Sequence, residues 1–161
     1  MARFEEAVTK TLQFEGGYSN NPLDRGGETR FGISKRWHPD VDIKNLTIER
    51  AKEIYRREYW DKLNLDLVEN QRIAEEIFDT AVNTSPRKAG RFLQEALNLL
   101  EDSGLVEDGI IGEKTLAAVN NYPYPDALLK ALNGFQFMHY LQTIEKDESQ
   151  RIFIRGWLKR V

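Results

Sequence analysis

The chain of 161 residues contains no cysteine, which excludes disulfide bonds, thiol nucleophiles and thiolate metal sites. It also has no apolar run near the roughly 18 residues that a membrane span requires. The first ten residues, MARFEEAVTK, contain two acids and no apolar stretch, unlike a classical signal peptide. The sequence therefore predicts a protein without a stable membrane span and without a classical signal peptide.

The chain also has no excess of basic over acidic residues. The chain has 23 lysines and arginines against 26 acids, which gives a net charge of -3. A nucleic-acid-binding protein needs a basic face to neutralise phosphates, so this composition argues against nucleic acid as a partner. The hydrophobic share of 40% and the charged share of 30% are ordinary for a globular protein, and this length allows one core or two lobes that share one.

Metal and cofactor chemistry have little support in the sequence. The two histidines, His38 and His139, are far apart and have no partner ligands at metal-binding spacing. We therefore predict no metal site and no cofactor.

Helical periodicity dominates most of the chain. Phe4, Ala7, Val8 and Leu12 fall on one helical face that the pair Gly16–Gly17 ends. Gly104 is expected to close a helix, and Pro125 is expected to open a long one that runs to about Lys146. Further helix starts are indicated by capping residues, in one case followed by proline: Thr47, Ser85 with Pro86, and Ser149.

The one region without a helical pattern is residues 18–34. It is rich in turn-forming residues, and then Thr29, Phe31 and Ile33 alternate with polar or small residues, as in a short strand. We expect a small β-hairpin or ribbon here. The predicted fold is mostly α, of the α+β class: a helical bundle with one small N-terminal β-hairpin.

Two acidic residues near the N-terminus suggest catalysis. Glu15 follows a predicted helix at its C-terminal end, where the helix dipole and neighbouring apolar residues raise the pKa of a carboxyl, as a general acid needs. Asp24 lies nine positions later in a polar turn and should stay ionised. Two carboxyls in contrasting environments are typical of glycosidases. The residues alone also allow a solvated Glu15 and an Asp24 that only stabilises its turn.

The segment FEGGYSNNPLDRGGETRFGIS resembles the N-terminal signature of the glycoside hydrolase family 108 muramidases, peptidoglycan hydrolases with a lysozyme-like fold. The family pattern is close to E-G-G-Y-x-N-D-P-x-D-x-G-G-x-T-x-x-G-I. The residues that match it are Glu15, Gly16, Gly17, Tyr18, Asn20, Pro22, Asp24, Gly26, Gly27, Thr29, Gly32 and Ile33.

The resemblance extends to the second half of the chain. FDTAVNTSPRKAGRFLQEALN and DGIIGEKTLAAVN are similar to the helical segment that the family describes as a peptidoglycan-binding domain. The resemblance implies a catalytic segment at residues 1–69 and a helical peptidoglycan-binding segment at residues 70–161, packed into the same globular unit.

The resemblance also implies roles for individual residues. Glu15, the Glu of E-G-G-Y, would be the catalytic acid. By analogy with the E-x8-D-x5-T pattern of phage lysozymes, Asp24 would act as base or electrostatic partner and Thr29 would hold the attacking water, although only four residues separate Asp24 from Thr29 here. The chain has Asn21 where the family usually has Asp, and Glu28 is an alternative second carboxylate.

Three other residues are candidates for substrate binding. Tyr18 could stack on a sugar ring, although plain packing is equally consistent with its position. Asp79 and Asn83 share a helix face at a spacing of four residues and could bond sugar hydroxyls or acetamido groups. The alternative for both is a solvated polar side chain near the end of a helix.

The resulting functional hypothesis is a muramidase that cleaves the β-1,4 bond between N-acetylmuramic acid and N-acetylglucosamine in peptidoglycan glycan strands. The resemblance implies a protein made in the cytoplasm that acts in the periplasm or cell wall after holin-dependent or secretion-system-dependent release, as endolysins do. A monomer is favoured. The alternatives are a non-catalytic peptidoglycan-binding or secretion-assisting protein, and an enzyme for related polymers such as chitin or chitosan.

Overall fold

The computed structural model describes residues 1–14, 16–20 and 27–161. Within these ranges the chain forms a mostly helical fold with one two-stranded antiparallel sheet, which confirms the predicted fold class. The α-helices are α1 (Phe4–Phe14), α2 (Ile48–Tyr55), α3 (Gln71–Asn83), α4 (Pro86–Glu101), α5 (Glu113–Asn121), α6 (Pro125–Lys146) and α7 (Ile154–Trp157). The strands are β1 (Thr29–Arg30) and β2 (Ile33–Ser34).

Tighter and wider helical turns connect some of these elements. A π-helical stretch, Arg56–Trp60, continues α2, and the 3₁₀ turns are Asp61–Leu63, Leu65–Leu67 and Glu148–Phe153. None of the helices in the described ranges combines the length and the apolar character that crossing a membrane requires.

A cluster of four aromatic rings forms the centre of the core. Phe78 of α3 packs edge-on against Phe4, Tyr55 and Trp60, with ring centroids 5.9, 5.9 and 5.7 Å away. Edge-to-face contacts of this kind are favourable beyond the area they bury. The cluster joins α1, α2 with its π-helical continuation, and α3, and all four side chains are buried.

Most predicted helix boundaries agree with the structure. The hydroxyls of Thr47 and Ser85 accept hydrogen bonds from the first turns of α2 and α4, each at 3.2 Å. Pro86 occupies the first position of α4, and α6 spans Pro125–Lys146 as predicted. Local capping chemistry therefore determines where these helices begin.

Two predicted boundaries are wrong by two residues. Helix α4 ends at Glu101 and is followed by Asp102 in the left-handed conformation (φ 49°), so Gly104 does not close it. An aspartate tolerates this conformation better than most residues. The last helical segment is capped by Asp147, whose carboxylate accepts from the backbone N–H of Ser149 at 3.1 Å, and not by Ser149 itself.

The β element is a tight hairpin, and the expectation of one strand through 29–33 is wrong. Its turn is formed by Phe31 and Gly32, both with positive φ (51° and 75°), which a two-residue type I′ turn requires. The backbone carbonyl of Phe31 accepts a hydrogen bond from the buried Tyr55 hydroxyl at 2.6 Å. This contact with α2 holds Phe31 in a conformation that a bulky residue rarely adopts.

A single buried glutamine holds the connection between α4 and α5. Gln94 donates to the Asp108 carboxylate and to the Ile110 carbonyl at 3.0 Å each, and it accepts from the Gly109 N–H at 2.8 Å. The backbones of Gly90 and Gly109 touch at this point, where a Cβ on Gly90 would overlap the carbonyl oxygen of Gly109. The absence of a side chain at Gly90 is therefore a packing requirement.

Replacement of Gly90 by alanine is expected to lower the free energy of unfolding by about 2–3 kcal/mol, because the added methyl group must push two backbones apart. Gly134→Ala is the matched control, since Gly134 is also helical but has open space around its Cβ position. It should raise stability by about 0.5–1 kcal/mol. Urea unfolding of both variants measures the contrast, and equal stability of Gly90→Ala and wild type would contradict it.

Candidate active site

An open groove with a volume of about 690 Å³ runs along the sheet side of the molecule. Four parts of the chain line it: the hairpin with the loop that follows, the π-helical region, the end of α3 with the start of α4, and the C-terminal helical segment. Its described lining residues are Thr29, Gly32, Ser34, Trp37, His38, Glu58, Tyr59, Lys62, Val82, Asn83, Thr84, Ser85, Pro86, Phe153, Gly156, Trp157 and Arg160. Its size suits a small ligand or a short section of a polymer.

The π-helical stretch brings a carboxylate to the groove. Tyr55 and Trp60, at either end of this stretch, are fully buried, and the wider turn between them places Glu58 and Tyr59 on the groove side. Such π turns often occur at functional sites. Among the described lining residues, Glu58 is the only acid.

His38 and Glu58 meet in the wall of the groove. The Nδ1 atom of His38 lies 3.4 Å from the Oε2 atom of Glu58. Burial lowers the pKa of His38 below its ordinary value, and this effect outweighs the attraction of the Glu58 carboxylate. At neutral pH the imidazole is therefore neutral, and the negative charge of Glu58 is balanced by Arg57 at 2.6 Å.

The predicted catalytic residues are only partly covered by the structure. Glu15, Asp24 and the family-divergent Asn21 lie outside the described residues, so their predicted roles stay predictions. Thr29 lines the groove, and its hydroxyl donates to the carbonyl of Gly27 at 3.1 Å.

Tyr18 and Glu28, two further candidates, contact each other. The Tyr18 hydroxyl donates to the Glu28 carboxylate at 2.8 Å, and this bond raises the pKa of Tyr18. The Tyr18 side chain is 46% exposed but is not among the residues that line the groove. A role for Tyr18 in sugar stacking stays a prediction.

Asp79 and Asn83 share a face of α3, but they have different neighbours. Asn83 lines the groove, and its amide donates to the Tyr140 hydroxyl. Asp79 lines a separate cavity of about 310 Å³, where it accepts from Arg160 at 2.6 Å and from Thr11 at 3.3 Å. Asn83 is thus placed to meet a ligand in the groove, whereas the Asp79 carboxylate already binds two partners inside the protein.

Several groove residues were not singled out from the sequence. Trp37 is 74% exposed at the groove, with the Arg36 guanidinium 5.5 Å from its ring centroid. Trp157 stacks on Tyr140 with centroids 5.2 Å apart. A tryptophan within the polar stretch KRWHPD is a signal that could have identified Trp37, but no local signal brings Trp157 to the same groove.

No group of three or more His, Cys, Asp or Glu side chains within the described ranges is arranged to hold a metal ion. The chemistry available in this part of the chain is that of a carboxylate, hydroxyls, amides and aromatic faces. These groups can form hydrogen bonds and stacking contacts with a polar ligand.

Two protein families match this chain, one in each half. The family described as "Glycosyl hydrolase 108" matches residues 8–84, and the one described as "Predicted Peptidoglycan domain" matches residues 88–161. The solved structure of Brucella abortus SagA is similar over 98% of this chain and 92% of its own, with 28% identity and a TM-score of 0.73. No protein with a curated description matches the chain.

The chain is thus a glycoside hydrolase that acts on peptidoglycan. Its residues 8–84 belong to the glycosyl hydrolase 108 family, and residues 88–161 form a predicted peptidoglycan domain. The two matches meet between residues 84 and 88. The division of the chain into segments 1–69 and 70–161 stays a prediction.

A half-buried glutamate in the cavity that contains Asp79 gives a prediction for pH. Glu76 lines the same cavity as Asp79, and burial, with the nearby Asp79 charge, raises the pKa of Glu76 from 4.5 to about 8. The folded protein therefore keeps a proton that the unfolded chain loses above pH 4.5. Stability should fall as the pH rises through this interval and level off above pH 8.

Glu76→Gln should remove this loss, because the amide keeps the shape of a protonated carboxyl but cannot ionise. The measurement is urea unfolding of wild type and variant between about pH 5 and pH 9, where only the wild type should lose this stability increment. Glu145→Gln, which changes an exposed glutamate of α6, is the control and should follow the wild type. A Glu76→Gln protein with the wild-type pH profile would refute the prediction.

Proposed function

We propose that the protein is a muramidase, which hydrolyses the β-1,4 bond between N-acetylmuramic acid and N-acetylglucosamine with Glu15 as the general acid. The observation that carries the proposal is the position of the hairpin. It lines the groove through Thr29, Gly32 and Ser34, and it belongs to the same sequence signature as Glu15. The proposed place of action is the periplasm or cell wall, where this substrate occurs.

Backbone hydrogen bonds connect the two ends of the signature. The N–H of Phe31 donates to the carbonyl of Gly16, the residue after Glu15, at 3.3 Å. Ser19 and Thr29 exchange two backbone bonds of 2.8 Å. The described residues that surround Glu15 are therefore joined to a wall of the groove, and this supports a catalytic role for Glu15.

The chemistry follows from the two carboxyl groups. Glu15 donates its proton to the glycosidic oxygen as the bond from that oxygen to the sugar C1 breaks. Asp24 activates the attacking water or stabilises the positive charge that develops on the sugar ring, and Thr29 helps to hold the water. The water oxygen bonds to C1, one of its protons stays on the new C1 hydroxyl, and the other passes to Asp24 or to solvent. Inversion requires carboxyls roughly 6.5–9.5 Å apart, and retention about 5–5.5 Å.

The direct test is a digest of purified peptidoglycan by wild type and Glu15→Gln, with the fragments identified by mass spectrometry. The wild type should release fragments that end in reducing N-acetylmuramic acid, and the folded variant should lose this activity by about 10³-fold or more. Glu58→Gln is the matched control, because it removes the acid that the described groove contains and should retain most activity.

Each outcome of this digest has a distinct meaning. Equal products from wild type and Glu15→Gln would assign the acid to another residue, and a loss confined to Glu58→Gln would assign it to Glu58. Binding to peptidoglycan without any release of reducing ends would favour a non-catalytic, secretion-assisting protein. Products from chitin or chitosan alone would replace the proposed substrate.

The second carboxylate is tested in the same way. Asp24→Asn should reduce the rate severely, whereas Glu28→Gln should reduce it only modestly, since a glutamine can still accept the hydrogen bond from Tyr18. Relative rates on purified peptidoglycan measure the difference. The reverse order would make Glu28 the partner of Glu15.

Trp37 is expected to contribute to substrate binding, because its ring is exposed at the groove and can stack on a sugar. Trp37→Ala should raise KM for soluble glycan fragments about fivefold, equivalent to ~1 kcal/mol, with a smaller change in kcat. Tyr124→Ala serves as control, since Tyr124 is 66% exposed but outside the groove. Equal KM values for Trp37→Ala and wild type would exclude this role.

A further inference from the structure

A second groove, with a volume of about 550 Å³, lies between α4, α6 and the loop that precedes α5. It adjoins the first groove, because Ser85 lines both. Phe92 and Phe135 stack at 5.7 Å with their ring planes 22° apart, and both rings line this second groove. The second groove therefore offers an apolar surface next to the proposed catalytic cleft.

Lys88 and His139 form a hydrogen-bonded pair in this groove, and no carboxylate of the described residues joins it. The Nζ atom of Lys88 lies 3.3 Å from the Nδ1 atom of His139, and both side chains are half-buried. Within the described ranges, Lys88 forms no ion pair with a carboxylate, whereas Arg91 of the same groove pairs with Glu95. Burying an ammonium group without a counter-ion costs free energy.

The surrounding charges add to this cost. Burial, with the charges of Lys146 and Arg91, lowers the pKa of Lys88. Burial, with the charges of Lys88 and Lys146, lowers the pKa of His139 to about 4. An anion placed between Lys88 and His139 would relieve the repulsion and favour protonation of both.

The acids that line the second groove are already engaged by other groups. Glu95 pairs with Arg91 at 2.7 Å, and Glu107 accepts from the amide of Asn98 at 3.1 Å. The Asp108 carboxylate accepts from Gln94 and from its own loop backbone. None of these carboxylates is paired with Lys88, so the missing counter-ion is one that a ligand can supply.

We propose that the second groove binds the stem peptide of peptidoglycan, with Lys88 and His139 receiving a peptide carboxylate and the Phe92–Phe135 pair packing against its alkyl groups. The inference rests on the proposed function, because the stem peptide is attached to N-acetylmuramic acid and leaves the glycan next to the cleaved bond. Ser85 lines both grooves, so a peptide attached to a glycan in the first groove is close to the second.

The chemistry of the groove favours a peptide over a further stretch of glycan. A stem peptide carries free carboxylates, an amino group on its diamino acid, and methyl and methylene groups. The carboxylates match the Lys88–His139 pair, and the methyl and methylene groups match the Phe92 and Phe135 rings. The glycan backbone of intact peptidoglycan offers no carboxylate to the half-buried Lys88, because the lactyl carboxyl of N-acetylmuramic acid is bound to the peptide as an amide.

The test compares intact peptidoglycan with glycan strands from which an amidase has removed the peptides. For Lys88→Met, the ratio of KM on intact to KM on stripped substrate should rise about tenfold over wild type, as expected for one lost charge-assisted hydrogen bond. Lys114→Met, which removes an exposed lysine of α5, is the matched control and should leave this ratio unchanged. An unchanged ratio in Lys88→Met would overturn the inference.

Direct binding supplies a readout that does not depend on catalysis. The chain has two histidines, so the His139 resonance is assigned by comparison with His139→Gln. A synthetic stem tetrapeptide of alanine, glutamate, diaminopimelate and alanine should raise the pKa of His139 well above 4. The same peptide with amidated carboxyls should not, and inorganic phosphate should shift it only at much higher concentration.

These readouts separate failure of the inference from failure of the proposed function. If the wild type cleaves neither substrate, the muramidase proposal fails, and the peptide titration alone decides the role of the second groove. If both substrates are cleaved but the tetrapeptide leaves His139 unchanged, the muramidase proposal stands and the inference is wrong. An equal shift with phosphate and peptide would show a general anion site and would also overturn it.

Discussion

The contact of Phe78 with three other aromatic rings is the constraint on which the rest of the structure depends. Phe4, Tyr55 and Trp60 come from different parts of the chain, and each meets an edge or a face of the same ring. The cluster therefore determines how α1, α2 with its π-helical continuation, and α3 are placed relative to one another. Helix α1 leads to Glu15, the π-helical stretch carries Glu58, and α3 ends at the groove. A packing change at Phe78 would move all three.

The sequence predicted helices well where a single local interaction decides the boundary. Thr47 and Ser85 cap their helices through their own side chains, so the signal lies within three residues of the boundary. The prediction from sequence failed where a contact between residues far apart in the chain determines the local structure. The turn at Phe31 depends on a hydroxyl from Tyr55, which lies 24 positions away, and alternation alone predicted a strand there. The π-helical stretch likewise follows from burying Tyr55 and Trp60 in the same core.

The candidate site likewise combines residues that a contiguous sequence pattern predicts with residues that only tertiary packing brings together. The Glu15–Thr29 signature is contiguous, so its family and chemistry could be inferred from the sequence, and Thr29 does line the groove. His38, Glu58 and Trp157 reach the groove from separate segments, and only tertiary packing brings them together. Asp79 is the clearest example of a residue whose contacts a local sequence pattern does not predict. It shares a helix face with Asn83 as the spacing predicted, but its Oδ1 atom accepts from an arginine 81 positions away in sequence, and its role in substrate binding stays a prediction.

Gln94 has a consequence for the dynamics of the loop between α4 and α5. Its amide bonds three backbone or side-chain groups of that loop, at Asp108, Gly109 and Ile110, and its side chain is only 1% exposed. The loop cannot detach from α4 unless these bonds break together. Its amide protons, Gly109 above all, should therefore exchange with solvent as slowly as those of a helix interior, so that the loop and α4 open as one cooperative unit.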